Sequence, residues 1–428
     1  MMRAAFFYGA FLMTAGAPLE KPREDDHLPP LFTRDFVLLC LVTLGFFFSF
    51  FFFFPTLPFF IQHLGGRESD VGLLIGVSSL VAFVVKPLAG RWVDHHGRTP
   101  LITTSVTLFA CAAVLHVWTC SLAFLLFLRF FYGAAIGCFT TASGAYLADI
   151  APPARRGEAT SYWGLVNSLA MGIVPPFALG LMSSKALHPL ETHLARLLPG
   201  LTATIAWEDN FVLLFLTAAG IASVAGVVSR GMREAHPPAP PLARRPLYAR
   251  EALLPTAVNF CLYLTFTSYT TFLPLYARTL GMGNAGFLYS TYALALMSTR
   301  VLGARIGDRS GRAAVIVPGL TCVIVAFLVF AGAPGPAFLY LGVSLYGLGL
   351  GLAQPGLSAF TIDRLTPERR GLGMSTFGQG VDLGMGIGGM LMGAIATQAG
   401  FPLMYLCGSA AAGIGLAIFL GGTRAKTP

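Results

Sequence analysis

Long uninterrupted apolar segments constrain the fold of this chain more than any other feature. A membrane-spanning helix needs about 20 mostly apolar residues, and twelve segments of that kind alternate with short loops rich in charge, Pro or Gly. The segments are continuously apolar rather than alternating, which favours helices over the strands of a membrane barrel. In chain order, segments 1 to 12 are 36–60, 71–92, 100–118, 122–147, 158–182, 211–230, 252–278, 286–306, 313–332, 337–361, 372–397 and 403–421.

The composition supports a lipid-embedded chain. Hydrophobic residues make up 55% of the 428 residues and charged residues 11%, whereas soluble domains carry about 25% charged residues. A soluble or disordered protein is therefore excluded. The seven cysteines are scattered without a CxxC or Cys/His cluster, so neither a disulfide framework nor a metal site is indicated. We expect no cofactor, and the absence of a GxxxxGK[ST] sequence argues against direct use of ATP.

The distribution of Lys and Arg predicts the orientation. With both termini in the cytoplasm, 21 of the 28 basic residues lie in cytoplasmic segments, four in outer loops and three inside helices. This bias follows the positive-inside rule and argues against nucleic acid as the reason for the net charge of +9. We expect a monomer in the cell inner (plasma) membrane with both termini cytoplasmic.

Loop composition divides the chain into four parts. Residues 1–34 are expected to form an N-terminal cytoplasmic extension, and residues 35–230 the first six-helix bundle. The Pro- and Arg-rich stretch 231–251 is typical of a linker. Residues 252–428 then form the second bundle and a short cytoplasmic tail. The long outer stretch 183–210 is predicted to hold a short amphipathic helix.

The two halves of the sequence match at an offset of 214 residues. Chance does not hold one register over five segments, so we predict two homologous bundles, an arrangement found in transporters. Matching pairs include Lys86 and Arg300, Asp94 and Asp308, Gly97 and Gly311, Arg98 and Arg312, Tyr132 and Tyr346, Gly133 and Gly347, and Asp149 and Asp363.

Four short motifs resemble signatures of one transporter family. Residues 90–98 (GRWVDHHGR) fit the loop pattern GxxxDxxGR, and residues 304–312 (ARIGDRSGR) fit it without the first glycine. Residues 129–137 (RFFYGAAIG) fit RxxxGxxxG, and residues 149–157 (DIAPPARRG) are similar to the loop that follows. In register and duplicated over roughly residues 35–422, these motifs resemble the major facilitator superfamily, in particular its bacterial efflux-type members.

The resemblance implies an all-α membrane protein of twelve transmembrane helices in two pseudo-symmetric six-helix bundles. It also implies that the charged loops form a cytoplasmic gating latch, made in the outward-facing state and broken in the inward-facing one. An alternative is that these charges only anchor the topology. The gating residues are Gly90, Arg91, Asp94, Gly97, Arg98, Asp149, Arg155, Arg156, Arg305, Asp308, Gly311, Arg312, Asp363, Arg369 and Arg370.

Two ionisable residues deep in the apolar segments have no charged counterpart in the other half. Asp382 in segment 11 lies about 18 Å from the cytoplasmic end at 1.5 Å per residue, and the offset pairs it with Ser168. Arg129 in segment 4 is paired with Val343. Charges in lipid are costly and commonly functional. We therefore predict that Asp382 carries a proton or substrate and that Arg129 binds anionic groups or tunes a carboxylate. The alternatives are a helix–helix hydrogen bond for Asp382 and snorkelling for Arg129.

Three further ionisable residues receive structural interpretations. Lys86 and Arg300 occupy equivalent positions in the two halves. This symmetry favours snorkelling and packing at the interface between the halves. His116, near the outer end of segment 3, is predicted to lie at the membrane interface.

In this family, segments 1, 4, 7 and 10 line a central cavity. Segment 1 contains the run FFFSFFFFF at 46–54, and segment 7 is rich in hydroxyl groups. One aromatic wall and one polar wall suit a lipophilic or amphipathic solute; the alternative is that the Phe run contacts lipid. The residues assigned to the cavity are Phe50, Tyr132, Asn167, Asn259, Tyr263, Ser268, Tyr346, Gln354 and Gln379.

The leading hypothesis is a secondary active transporter that moves a small organic solute by alternating access. Proton-coupled export is favoured, although segment 5 matches the signature GxxxGPxxGG of drug exporters only in part. The alternatives are a proton-coupled importer of a sugar or organic acid and a non-transporting membrane sensor. An enzyme is disfavoured because the segments contain no Ser/His/Asp set and no paired carboxylates.

Overall fold

The structure is a computed structural model that describes residues 30–152, 155–198, 209–234, 248–366 and 369–424. The predicted extension up to residue 29 and residues 235–247 of the predicted linker lie outside these ranges. Every long element in the described ranges is a helix. In chain order these are α1 (Arg34–His63), α2 (Glu68–His96), α3 (Thr99–Leu115), α4 (Leu122–Ile150), α5 (Arg156–Met182), α6 (His188–Leu197), α7 (Phe211–Ser229), α8 (Leu253–Thr267), α9 (Leu273–Thr279), α10 (Gly286–Ser310), α11 (Ala313–Ala331), α12 (Pro336–Asp363) and α13 (Arg370–Arg424).

The predicted helical membrane fold is confirmed, while the count of twelve spans stays a prediction. Nine helices in the described ranges are long and apolar enough to cross a membrane. One of these, α13, contains predicted segments 11 and 12 and is divided at Gly400, where φ is 79°. Segment 7 is divided into α8, a π-helical turn at Ser268–Phe272 and α9. The two divisions account for two of the three spans by which the nine continuous helices fall short of the twelve apolar segments. The third is segment 8, because α10 is not among the nine.

Pro274 accounts for the π-helical turn between α8 and α9. A proline has no N–H and cannot donate to the carbonyl four residues earlier, here that of Thr270. The Tyr289 hydroxyl on α10 donates to this Thr270 carbonyl over 2.5 Å. The turn is thereby stabilised by a side chain from a neighbouring helix, as buried backbone groups require.

Helix contacts repeat at the offset of 214 residues found in the sequence. An added Cβ at Gly133 would lie 2.3 Å from the Ser78 carbonyl oxygen, so α4 and α2 are in backbone contact. At the equivalent Gly347 it would lie 2.6 Å from the carbonyl oxygen of Tyr292, which joins α12 to α10. Small residues at these crossings allow the helices to approach closely.

The two halves of the chain meet at two equivalent helix pairs, α2 with α13 and α5 with α10. An added Cβ at Gly72 would lie 2.1 Å from the Gly389 carbonyl oxygen, and one at Gly286 would lie 2.2 Å from Pro176 Cα. We call the end with the loop residues 97–98, 151–152, 311–312 and 364–366 the basic end. These glycine contacts lie toward the other end, which we call the opposite end.

Helix α6 confirms the predicted short helix in the stretch 183–210, and a buried carboxylate fixes it. Glu191 accepts hydrogen bonds from the backbone N–H groups of Val212 (2.9 Å) and Leu213 (2.7 Å), at the start of α7. These are N–H groups without partners inside their own helix. Burial raises the pKa of the Glu191 carboxyl, although the two hydrogen bonds oppose this effect.

We predict that Gly72→Ala lowers the apparent melting temperature of the purified protein, because its methyl group overlaps the backbone of α13. Overpacking of this kind typically costs about 1–3 kcal/mol. Gly90→Ala on the same helix is the matched control, since an added Cβ there meets nothing within 4 Å. Its melting temperature is expected to stay equal or rise, because alanine favours helix. Equal melting temperatures for both variants would contradict the close contact.

Candidate functional site

A cavity of about 290 Å³ lies between the two halves. Six helices line it, namely α1, α2, α4 and α5 from the first half and α8 and α13 from the second. The walls are mostly apolar, with a few polar and charged groups, as is typical of sites for small molecules. The lining residues are Phe47, Phe50, Phe51, Phe53, Phe54, Leu57, Ile75, Ser78, Ser79, Ala82, Lys86, Arg129, Tyr132, Ile136, Thr140, Asn167, Met171, Tyr263, Phe266, Val381, Asp382 and Met385.

The structure brings together six of the residues that the sequence assigns to the site. Both ionisable candidates, Asp382 and Arg129, line the cavity. Four predicted cavity residues, Phe50, Tyr132, Asn167 and Tyr263, line it with them.

Five other residues predicted for the cavity lie elsewhere. Asn259 is buried and donates from Nδ2 to the Phe377 carbonyl on α13 over 3.3 Å. Tyr346 is buried and shares a hydrogen bond with Thr265 over 3.2 Å. Asn259 and Thr265 of segment 7 thus turn toward neighbouring helices, and α12 contributes no lining residue in the described chain. The remaining three are the buried Ser268 and the half-buried Gln354 and Gln379.

The Phe run of α1 is buried within the protein, so the alternative of lipid contact is wrong for most of it. Phe46, Phe47 and Phe50–Phe54 are each at most 9% exposed. Phe46 stacks on Phe139 of α4 at 3.9 Å between ring centroids, and Phe53 stacks on Phe215 of α7 at 5.6 Å. Neighbours from α4 and α7 cover faces of α1 that the sequence left open to lipid.

Asp382 forms an ion pair across the two halves. Lys86 Nζ on α2 lies 2.6 Å from Asp382 Oδ2 and 2.8 Å from Oδ1 on α13. The side chains are 27% and 10% exposed, respectively. The interface position predicted for Lys86 is therefore correct. Its role is not snorkelling, because its ammonium group is bound to a carboxylate on the cavity wall.

The pseudo-symmetric position holds a weaker contact. Arg300 on α10, the counterpart of Lys86, donates from Nη1 to the Ser168 hydroxyl on α5 over 3.3 Å. Ser168 is the counterpart of Asp382 at the same offset. The two helix pairs that join the halves therefore carry equivalent contacts, but only α13 supplies a carboxylate.

Arg129 lies on the other side of the cavity in an aromatic setting. It is 2% exposed. Its Cζ lies 4.3 Å from the ring centroid of Tyr132 and 5.6 Å from that of Phe53. Its Nη2 donates to Nε2 of His116 over 2.5 Å. His116 follows the last residue of α3, and its side chain is buried within the protein, with 1% exposed. Its predicted position at the membrane interface stays a prediction.

Sequence reasoning missed the contributions of Lys86 and His116 to this site. Both residues were visible as ionisable groups inside apolar segments. No sequence signal placed either of them beside its partner.

The gating residues form ion pairs at the basic end, and their role as a latch stays a prediction. Arg98 Nε lies 2.7 Å from Asp149 Oδ2, and the equivalent Arg312 lies 2.7 Å from Asp363 and 2.5 Å from Asp308. The hydrogen bonds that Arg312 donates to the carboxylates of Asp363 and, to a lesser extent, Asp308 raise the pKa of its guanidinium. The Arg98–Asp149 contact thus recurs in the second half as Arg312–Asp363, and each of these ion pairs lies within one half rather than between the halves.

Other members of the gating set are placed as follows. Gly97 and Gly311 turn the chain with φ of 90° and 87°, a conformation that glycine adopts without strain. Arg155 pairs with Glu158 and Arg369 with Glu251. The side chains of Asp94 and Arg305 lie outside the described residues, Gly90 is half-buried, and Arg91, Arg156 and Arg370 are exposed.

The described residues contain no group of three or more His, Cys, Asp or Glu side chains able to hold a metal ion. The site is instead a cavity with one ion pair, one further cation and an aromatic wall. Such an arrangement can bind a small molecule and exchange a proton.

Comparison with known proteins places these features in a family. The sequence profile of the Major Facilitator Superfamily matches residues 39–285 and 255–428. The chain is 24% identical over 392 residues to the staphylopine export protein of Staphylococcus aureus, with 87% of this chain and 92% of that protein covered. It is 26% identical over 374 residues to the multi-drug resistance efflux pump PmrA of Streptococcus pneumoniae, with 82% and 86% covered.

A solved structure shares the fold. The match is a bacterial homologue of the human lysosomal transporter Spinster, with a TM-score of 0.76 and 14% identity over 93% of this chain and 98% of that one. The resemblance seen in the motifs is thereby confirmed over most of the sequence. The chain belongs to the Major Facilitator Superfamily and is a multi-pass membrane transporter.

Proposed function

We propose that the chain exports a small organic solute by alternating access and that protons drive this export through Asp382. The observation that carries the proposal is the Lys86–Asp382 ion pair on the wall of the cavity, between the two halves. Two bundles of six helices, residues 35–230 and 252–428, would move about this cavity.

The ion pair links proton binding to the contact between the halves. A carboxylate that is 10% exposed keeps its charge at low cost only while a cation neutralises it. Protonation of Asp382 removes its attraction for Lys86 and so weakens the contact of α13 with α2. A proton can therefore shift the equilibrium between conformations because it favours the one without this pair.

The contacts between the halves suggest which state this is. The glycine contacts of α2 with α13 and of α5 with α10 lie toward the opposite end. If the basic end faces the cytoplasm, as the positive-inside rule predicts, the closed side faces outward. On this proposal, Asp382 would be ionised beside Lys86 in this conformation, and the cavity would accept solute from the cytoplasm. The names of the two relatives, an export protein and an efflux pump, agree with this direction.

A second candidate is a proton-coupled importer of an organic acid. The observation that favours it is Arg129, a second cation on the cavity wall with Lys86. Transport in vesicles separates the two candidates. Movement of solute and protons in opposite directions across the membrane supports export. Movement of both in the same direction supports import.

We predict that Asp382→Asn abolishes transport driven by a pH gradient but leaves exchange of solute across the membrane intact, because Asn cannot carry the proton. The measurement uses purified protein in liposomes and compounds that raise its melting temperature. Asp70→Asn is the control. Asp70 caps the start of α2 by accepting from the Arg67 N–H over 2.7 Å, away from the cavity. Unchanged pH-driven transport by Asp382→Asn would remove the proton role, and no transport of any such compound by the wild type would support a sensor.

We also predict that Lys86→Met lowers thermal stability and that Lys86→Met/Asp382→Asn restores much of the loss. Removing one partner of a buried pair leaves an uncompensated charge, at a cost of up to about 3 kcal/mol for this partly exposed pair. Arg300→Met is the matched control, because its partner Ser168 is a neutral hydroxyl. It is expected to cost less than Lys86→Met. Additive effects of the two substitutions would mean that the pair does not stabilise the protein.

A further inference from the structure

We infer that the solute of this cavity is an organic monoanion with a flat aromatic body, held by Arg129. The inference rests on the proposed function only in taking this cavity as the site of the transported solute. Its basis is the charge and shape of the cavity walls.

The charge of Arg129 is not neutralised by the protein. Within the described ranges no carboxylate lies within 4.0 Å of its guanidinium. In the same ranges, its Nε is buried without a hydrogen-bond partner. A buried guanidinium without a counter-ion and with an unpaired N–H group lowers the stability of the folded protein. An oxyanion bound in the cavity would supply the missing charge and acceptor.

The histidine beside Arg129 is neutral. His116 Nδ1 lies 2.6 Å from the Ala112 carbonyl oxygen, which is an acceptor only, so this nitrogen carries the proton. Nε2 must then hold its lone pair toward the Arg129 Nη2 that donates to it. His116 thus orients the guanidinium and adds no charge.

The remaining ionisable groups on the cavity wall cancel each other. Lys86 and Asp382 are paired at 2.6 Å. The walls therefore carry a net charge of +1, located on Arg129. A cationic ligand would be repelled and would find Asp382 occupied, whereas a monoanion would bring the cavity to neutrality.

The aromatic lining and the volume of the cavity indicate the part of the ligand that carries the anionic group. The rings of Tyr132 and Phe53 lie beside the Arg129 guanidinium. Phe50, which also lines the cavity, stacks on Tyr132 at 5.2 Å between centroids. Flat ligands gain from offset or edge contacts with such rings. The volume of about 290 Å³ is at the lower limit for small-molecule sites and favours compact ligands.

The test compares three probes that share one ring system and differ in charge. They are 2-naphthoate (anion), 2-naphthamide (neutral) and 2-naphthylmethylammonium (cation). Binding to the purified full-length protein is measured by calorimetry. We expect the wild type to bind naphthoate more tightly than naphthamide by about tenfold or more, the usual value of a charged hydrogen bond. The ammonium is expected to bind most weakly.

The variants assign the preference to Arg129. Arg129→Gln is expected to reduce the ratio of naphthoate to naphthamide affinity to about one. Arg129→Lys retains the positive charge and is expected to give a ratio between those of Arg129→Gln and the wild type. A ratio measured within one preparation does not depend on how much of it is folded. Asp382→Asn removes the negative charge from the other wall and is expected to tighten naphthoate binding.

The outcomes separate the ligand class from the transport function. Tight ammonium binding, equal affinities in the wild type, or an unchanged ratio in Arg129→Gln would overturn the inference. The same three probes are then followed in liposomes. Transport of the amide or the ammonium without naphthoate binding would overturn the inference and leave the proposed function standing. Naphthoate binding that depends on Arg129, without transport of any probe, would support the inference and count against the proposed function.

Discussion

The ion pair between Lys86 and Asp382 is the interaction on which the arrangement around the cavity depends. It joins α2 to α13 across the two halves and lies on the basic-end side of the glycine contacts between the same helices. In a setting of low dielectric constant, an ionised carboxylate persists at low cost only beside a cation. The protonation of Asp382 and the distance between the halves are therefore linked, and the pair also decides the net charge that a ligand meets.

The pseudo-symmetry of the fold shows which part of this arrangement is shared and which is special. Backbone contacts and the Arg98–Asp149 pair recur at an offset of 214 residues, as Arg312 with Asp363 shows. At the equivalent half–half contact, Arg300 meets Ser168 instead of an acid. Contacts that hold the fold together are duplicated, whereas the carboxylate occurs once. Under the proposed function, this single carboxylate would couple one proton to the motion of the halves, whereas two symmetric ion pairs would couple two.

The sequence predicted the fold well because hydropathy and an internal repeat determine it. It predicted the site less well because the partners of the charged groups are remote in the chain. Lys86 and Asp382 are 296 residues apart, and the equivalence of Lys86 with Arg300 pointed to packing rather than to an acid. The Phe run has no period, so its burial on all sides followed only from the neighbouring helices. Of the polar groups of segment 7, Tyr263 lines the cavity as expected. Thr265 and Thr267 instead form hydrogen bonds with Tyr346 of α12 and with the Met385 carbonyl of α13.

The charges on the two cavity walls decide whether protonation of Asp382 would strengthen or weaken the binding of an anion at Arg129. Protonation of Asp382 leaves the charge of Lys86 without a partner and raises the net charge of the walls from +1 to +2, so the anion proposed to bind Arg129 would bind more tightly. By linkage, the anion must raise the affinity of Asp382 for its proton by the same factor. Proton and anion therefore do not compete within one conformation. Under the proposed function, export in exchange for a proton would then require that the form carrying only the anion and the form carrying only the proton change conformation, and that the form carrying both does not. Release of the Lys86–Asp382 contact is the step that can select them, since it occurs at the interface between the halves and not at Arg129.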